Sequence, residues 1–298
     1  MEVITKTAKD EKKMQETKIL EDAKIQKSKI LKDIASRSQN DINIKKLKLD
    51  KLGLTSLPEE IGNYTQLTYL DLSDNKLISL PKEIGRLTQL KELHISHNCL
   101  VELSEEIGKL TQLTYLNLYD NKLTSLPKEI GNLTQLTYLN LDYNQLTSLP
   151  NEIGNLIQLQ KLYLSSNRLD SFPKEIGKLT QLSELYLEYN KLSSLPKRIG
   201  NFTQLRDLNL GNNKLTRITK NIKNLVRLEM LIAENNLLTS IPEEIKDLQE
   251  LRSLYLNDNK LTKIPSFKKN SKLEHVNISN NKLTSFPNKL RKIKKFEF

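Results

Sequence analysis

His94, His97 and Cys99 stand close together and are of the types that bind zinc or carry out nucleophilic attack. A zinc site needs three or four such ligands in one place, and a nucleophilic thiol needs a base beside it. The chain holds only three histidines and one cysteine. No further Cys or His stands near these three by spacing, so no metal centre, cofactor or catalytic nucleophile is expected. A different chemistry is suggested by Tyr69, Tyr115, Tyr119, Tyr138, Tyr143, Tyr163, Tyr186, Tyr189 and Tyr255, with Asp142 and Glu188 among them. Phenol rings and carboxylates at regular intervals suit contact with another molecule rather than bond-making.

The elements that must position them follow from a repeat. Asn75, Asn98, Asn121, Asn144, Asn167, Asn190, Asn213, Asn236 and Asn259 are spaced 23 residues apart, Asn281 follows after 22, and Leu52 stands one step before Asn75. A fixed period of this size marks a solenoid of stacked supersecondary units. In Leu113–Leu123, Leu116 and Leu118 alternate with Tyr115, Asn117 and Tyr119, which is the period of a strand with one face buried. The return segment runs from Leu126 and Pro127 to Gly131 and Leu133; Pro suits the first turn of a short helix and Gly its end. One unit cannot bury its own leucines, so stability must come from its neighbours.

The pattern L-x-x-L-x-L-x-x-N-x-L, followed by L-P-x-E-I-G-x-L, resembles the leucine-rich repeat family over roughly residues 42 to 290. It is most similar to the 23-residue class of bacterial repeat proteins and Ras-suppressor-like scaffolds. The resemblance implies an α/β leucine-rich repeat solenoid, a curved horseshoe. Its features would be about eleven parallel concave strands, short helical or 3₁₀ turns on the convex side and an N-terminal helical cap. It also implies that the marker Asn bonds backbone groups of adjacent turns. Some bacterial relatives carry a ligase domain after the array; Phe298 closely follows the last marker, so none is expected here.

The expected organisation is a disordered 1–8, a helical cap over 9–40, the repeats over 41–287 and a basic cap or tail over 288–298. In the cap, Leu20, Ala23, Ile30, Leu31 and Ile34 fall near helical spacing within a Lys/Glu-rich stretch. Several copies depart from the frame: Ser104 and Thr219 replace Pro, and Lys223 and Lys246 replace Gly. A local change of curvature is expected near Thr219–Lys223.

The net charge of +11 is unevenly placed. Residues 1–50 hold 13 Lys+Arg against 9 Asp+Glu, residues 51–262 hold 24 against 25, and residues 263–298 hold 10 against 2. The array is therefore near neutral and the excess sits at the ends, most densely in Lys289–Lys295. No apolar run is long enough to span a membrane, and the N-terminus has no apolar signal core. With a lone cysteine, this predicts a cytoplasmic protein, with export to a host cell by a specialised system left open. The Asn-x-Thr triplets at Asn63, Asn132 and Asn201 recur with the frame and read as structural.

If the leucines face inward, the outward strand positions lie six, four, two and one residues before each marker. From the second copy on, these four rows hold nine of the ten tyrosines, none of the six phenylalanines, and ten acids against one base, Lys161. Met230 and Ile232 add two apolar side chains beside Tyr255. Tyr favours strands, but it also gives large contact area at small entropic cost in interfaces. Strand spacing and rise make the face roughly 800 Å², one partner's share of a standard interface. The expected function is a non-catalytic protein-binding module, acting as a scaffold or bacterial effector and favoured as a monomer. Its partner would carry a basic patch. The alternative is a binder of nucleic acid or anionic membrane through the basic termini.

Overall fold

A computed structural model of the chain describes residues 28–32, 34, 41–267, 272–285, 290 and 293–298. The 1–8 segment, most of the expected cap, part of the shortened last copy and Lys289, Arg291 and Lys292 of the tail lie outside the described residues. Residues 28–32 and 34 are helical, and Ile30 and Ile34 are buried in the same core as the repeat leucines.

Three-residue strands recur once per copy: β1 (Lys46–Lys48), β2 (Tyr69–Asp71), β3 (Glu92–His94), β4 (Tyr115–Asn117), β5 (Tyr138–Asn140) and β6 (Lys161–Tyr163). They continue as β7 (Glu184–Tyr186), β8 (Asp207–Asn209), β9 (Met230–Ile232), β10 (Ser253–Tyr255), β11 (His275–Asn277) and β12 (Lys295–Glu297). All twelve form one parallel sheet in sequence order. Twelve strands stand where about eleven were expected: the last, β12, pairs with β11 and lies in the segment read as the basic tail. Its Phe296 packs against the core, with Ile293 beside it and Leu290 buried, so the tail's apolar residues extend the stack.

The register repeats without slippage. Leu116 faces Leu139, Leu139 faces Leu162, and Leu162 faces Leu185, each almost fully removed from water. A one-residue slip would turn this whole ladder to solvent, so its burial fixes the register. Leucines and isoleucines of all copies join one continuous core, and each fully buried aliphatic side chain contributes on the order of 2 kcal/mol.

The marker asparagines from Asn75 to Asn259 are buried and join adjacent copies. Asn144 donates from Nδ2 to the carbonyls of Leu118 at 3.0 Å and Leu141 at 3.1 Å, and its Oδ1 accepts from the Leu123 amide at 3.0 Å. The same three contacts recur at Asn121, Asn167 and Asn190. Turn backbone groups that would be orphaned in the core are thus satisfied. Leu52 takes the marker place where no strand precedes β1 among the described residues, so an amide there would lack the preceding copy's carbonyl.

The return segments are five-residue 3₁₀ turns such as Lys128–Asn132. Two details differ from expectation. Proline sits at the N-cap rather than inside the turn: Pro127 has φ −67° and ψ 150°, an extended conformation its ring favours. Where Pro is absent, Ser104 and Thr219 accept from the Glu106 and Asn221 amides, at 3.3 and 3.4 Å. The glycine serves close packing rather than termination. A Cβ on Gly154 would lie 2.5 Å from the Glu175 carbonyl oxygen and 2.8 Å from the Glu175 Cβ of the next copy. Gly154→Ala is therefore expected to lower stability by about 1–3 kcal/mol through overpacking. Unchanged denaturant unfolding would show that the copies are not held this closely.

The expected disturbance near Thr219–Lys223 leaves the frame intact. The turn Lys220–Asn224 keeps the five-residue length, its N-cap keeps φ −69° and ψ 146°, and β8, β9 and β10 remain in register. The departures change the surface there, not the backbone path.

Candidate partner-binding face

Alternation along each short strand sends its middle residue into the core and its two end residues outward. In β4 the order is half-buried Tyr115, buried Leu116, half-buried Asn117. Parallel pairing then stacks outward side chains of neighbouring copies on one another.

Six rings form an unbroken chain across β2 to β7. Tyr69 lies 5.0 Å from His94, His94 4.7 Å from Tyr115, and Tyr115 4.2 Å from Tyr138 with ring planes 8° apart. Tyr138 then meets Tyr163 at 5.4 Å, and Tyr163 meets Tyr186 at 5.0 Å, both edge to face. Such spacings are favourable for aromatic pairs. The chain crosses between rows of the sequence frame, and His94 is the link that sequence reading missed. Comparing each strand with its neighbours, rather than reading one row along its length, places His94 between Tyr69 and Tyr115. A second series joins His97, Tyr119 and Tyr143 at 5.0 and 5.3 Å. His97 Nδ1 lies 2.9 Å from Asp120 Oδ2. Both histidines thus belong to ring networks, and among the described residues no group of three His, Cys, Asp or Glu is gathered for a metal ion.

The row just before the marker has its own backbone. Every copy from Lys51 to Asn280 places this residue at positive φ, between 48° and 59°. Asp, Asn and His tolerate that conformation best and fill seven of the eleven places. Tyr143 at φ 56° and Tyr189 at φ 53° do not suit it, yet they are 53% and 57% exposed. Neither strand propensity nor core packing accounts for a bulky ring held there, and strain of this kind clusters at functional sites. Tyr189→Asn is expected to stabilise the fold by about 0.5–1 kcal/mol. An unfolding midpoint at or below that of the wild type would remove the strain argument.

Acids flank the rings. Tyr163 donates its hydroxyl to Glu184 Oε2, and Lys161 Nζ lies 2.6 Å from Glu184 Oε1, so the single base of these rows is already paired. Glu188 accepts from Asn209 at 3.0 Å and Asn212 at 3.2 Å. Asp142 Oδ1 accepts from the Ser165 amide at 2.5 Å. Burial chiefly, with a smaller contribution from the charge of Glu188, nevertheless pushes the Asp142 carboxyl up to about 6. Burial and then Glu184 likewise raise Asp207. Burial and Asp71, which accepts from its hydroxyl at 3.3 Å, push Tyr69 up to about 12.

A carboxyl raised on folding favours the folded state when protonated. Asp142 therefore contributes stability below about pH 4 that is lost as pH rises through about 6. Asp142→Asn keeps the acceptor for Ser165 without the charge, so it should be more stable than the wild type above pH 6 and no more stable at pH 4. Parallel stability–pH curves for the two proteins would contradict this.

Met230 and Ile232 are half-buried, less exposed than their outward position implied, and Ile232 faces Tyr255 in register. This patch is separated from the ring chain by β8, where Asn209 is buried and bonded to Glu188. The candidate residues thus fall into two groups.

A family profile described as a leucine-rich repeat region matches residues 20–125, 97–185 and 127–234, and one for two-copy leucine-rich repeats matches 226–269 and 249–292. A leucine-rich repeat protein of Leptospira interrogans is 36% identical, with a TM-score of 0.72 over 86% of this chain and 72% of that one. A plant peptide hormone receptor, solved in complex with RGF2, is 35% identical with a TM-score of 0.65; it matches 80% of this chain, which spans 44% of the receptor. A leucine-rich effector protein from Yersinia pestis is 25% identical with a TM-score of 0.67 over 89% of this chain and 75% of that one. No curated protein matches. This fold commonly serves protein–protein interaction and is generally non-catalytic, and no helix among the described residues is long and apolar enough to cross a membrane. With the profiles matching from residue 20 to residue 292, the chain belongs to the leucine-rich repeat family.

Proposed function

We propose that the chain is a non-catalytic protein-binding module whose outward strand face docks a partner carrying a basic patch. The observation that carries this reading is the unbroken six-ring chain from Tyr69 to Tyr186, bordered by carboxyls whose ionisation burial and mutual repulsion oppose. An incoming Arg or Lys relieves that repulsion and lies well against phenol faces. Tyr143 and Tyr189 project at the border of the same face, and Met230, Ile232 and Tyr255 supply a separate apolar contact. The open face suits a protein surface, and the chain acts as a monomer. The bacterial neighbours, one an effector, support a role as a scaffold in the cytoplasm or as an effector exported to a host cell.

The test is capture of partners on immobilised wild-type chain beside a variant carrying Asp142→Asn, Glu188→Gln and Asp207→Asn. The captured partner should bind the variant more weakly. Its affinity for the wild type should fall as salt rises from about 0.05 to 0.5 M, because exposed charges are screened over that range. Equal, salt-independent binding by both proteins would remove the electrostatic part of the proposal.

A further inference from the structure

Seven of the nine 3₁₀ turns among the described residues carry an acid in their first turn. The two that do not are neighbours, Lys197–Asn201 and Lys220–Asn224. The second residue of the turn is Glu in the other seven copies and is Arg198 and Asn221 here. Arg217 stands where eight other copies have Ser, and Thr219 where most have Pro. Of these departures, Arg217, Thr219 and Asn221 fall on one piece of surface.

That surface is a cavity of about 630 Å³ lined by Lys197, Arg217 and Lys220, with Thr219, Asn221 and Ser240 as hydroxyl and amide groups. No acid lines it. Elsewhere Lys128 and Lys174 lie 3.9 and 3.8 Å from Glu129 and Glu175 of their own turns, but the equivalent Lys197 and Lys220 have no such neighbour. A cavity of about 320 Å³ among the early turns gives the contrast: Lys82, Arg86 and Lys109 line it together with Glu83 and Glu106. There Lys109 Nζ lies 2.6 Å from Glu106, so the charge is neutralised from within.

Three cations converging without a counter-charge repel one another, and a bound anion removes that cost. Arg presents a planar fork and Lys a point charge, the pair of groups suited to phosphate oxygens. The volume lies in the range of small-ligand clefts. We propose that this cavity is an anion subsite that takes a phosphate ester, either a soluble one or a phosphorylated lipid headgroup. None of its lining residues belongs to a strand, so the site is independent of the tyrosine face.

Calorimetric titration of the full chain with pyrophosphate tests this. The wild type should bind, and Arg217→Ser and Lys220→Glu should each weaken binding about tenfold or more. Both replacements introduce residues that other copies carry at the same place, so folding should persist and can be checked by the unfolding midpoint. Lys109→Ser in the early cavity should change nothing. Co-sedimentation with phosphoinositide vesicles that pyrophosphate reverses would support the phosphate chemistry and assign it to a headgroup. Pyrophosphate binding without vesicle binding would support it and assign it to a soluble ester. No binding by the wild type, or undiminished wild-type affinity in both variants, would overturn the proposal.

Discussion

Alanine at Tyr138, Tyr163 and Tyr186 together is expected to abolish measurable partner binding while leaving the solenoid folded. Each anchoring ring should account for about 2 kcal/mol or more, as central aromatic residues of an interface commonly do. The three occupy adjacent strands β5, β6 and β7, near the middle of the twelve-stranded sheet, where a docked surface excludes water most completely. The folding cost is smaller. Their stacking contributes about 0.5–1.5 kcal/mol per pair, while Leu139, Leu162 and Leu185 beneath them stay buried and untouched. The matching Tyr→Phe triple separates ring from hydroxyl: it keeps the stack but loses the bond from Tyr163 to Glu184. Binding isotherms and melting curves on both triples check the expectation. Full affinity in the alanine triple would remove these rings from the interface.

Asn144→Ala should lower the stability of the chain by about 3 kcal/mol. The side chain holds the carbonyls of Leu118 and Leu141 and the amide of Leu123, all in buried surroundings. Each group left without a partner costs about 1–3 kcal/mol, and some relaxation or water entry offsets part of the sum. Because these contacts join adjacent copies, the loss should appear as weakened coupling along the array rather than local fraying. Denaturant unfolding with a normal midpoint would mean that the asparagine ladder is dispensable.

How far the sequence reveals this molecule depends on which interactions recur. Leu116, Leu139 and Leu162 recur with period 23 and alternate with polar residues, so strand, register and core are legible from spacing alone. The outward direction of Tyr115 and Tyr163 follows from the same alternation. Contacts that cross rows were not legible, because His94 meets Tyr69 and Tyr115 only after the strands are laid side by side. Positive φ before each marker was hidden for a different reason. Asp and Asn abound there and signal it, but Tyr143 and Tyr189 break that signal where the strain matters most. Gly154 misled in a third way: its position suggested helix termination, while the close approach of Glu175 is visible only across copies. Residue type revealed Met230 and Ile232 as apolar but not how far their neighbours cover them.

Hydroxyl-radical footprinting of the full chain, with and without its captured partner, tests the central claim most directly. The binding-face account predicts that Tyr138, Tyr163, Tyr186 and Tyr189 lose reactivity in the complex while Ile78, Val101 and Val226, exposed outside the strands, keep theirs. Protection confined to the 3₁₀ side, with those four rings as reactive as in the free chain, would contradict it.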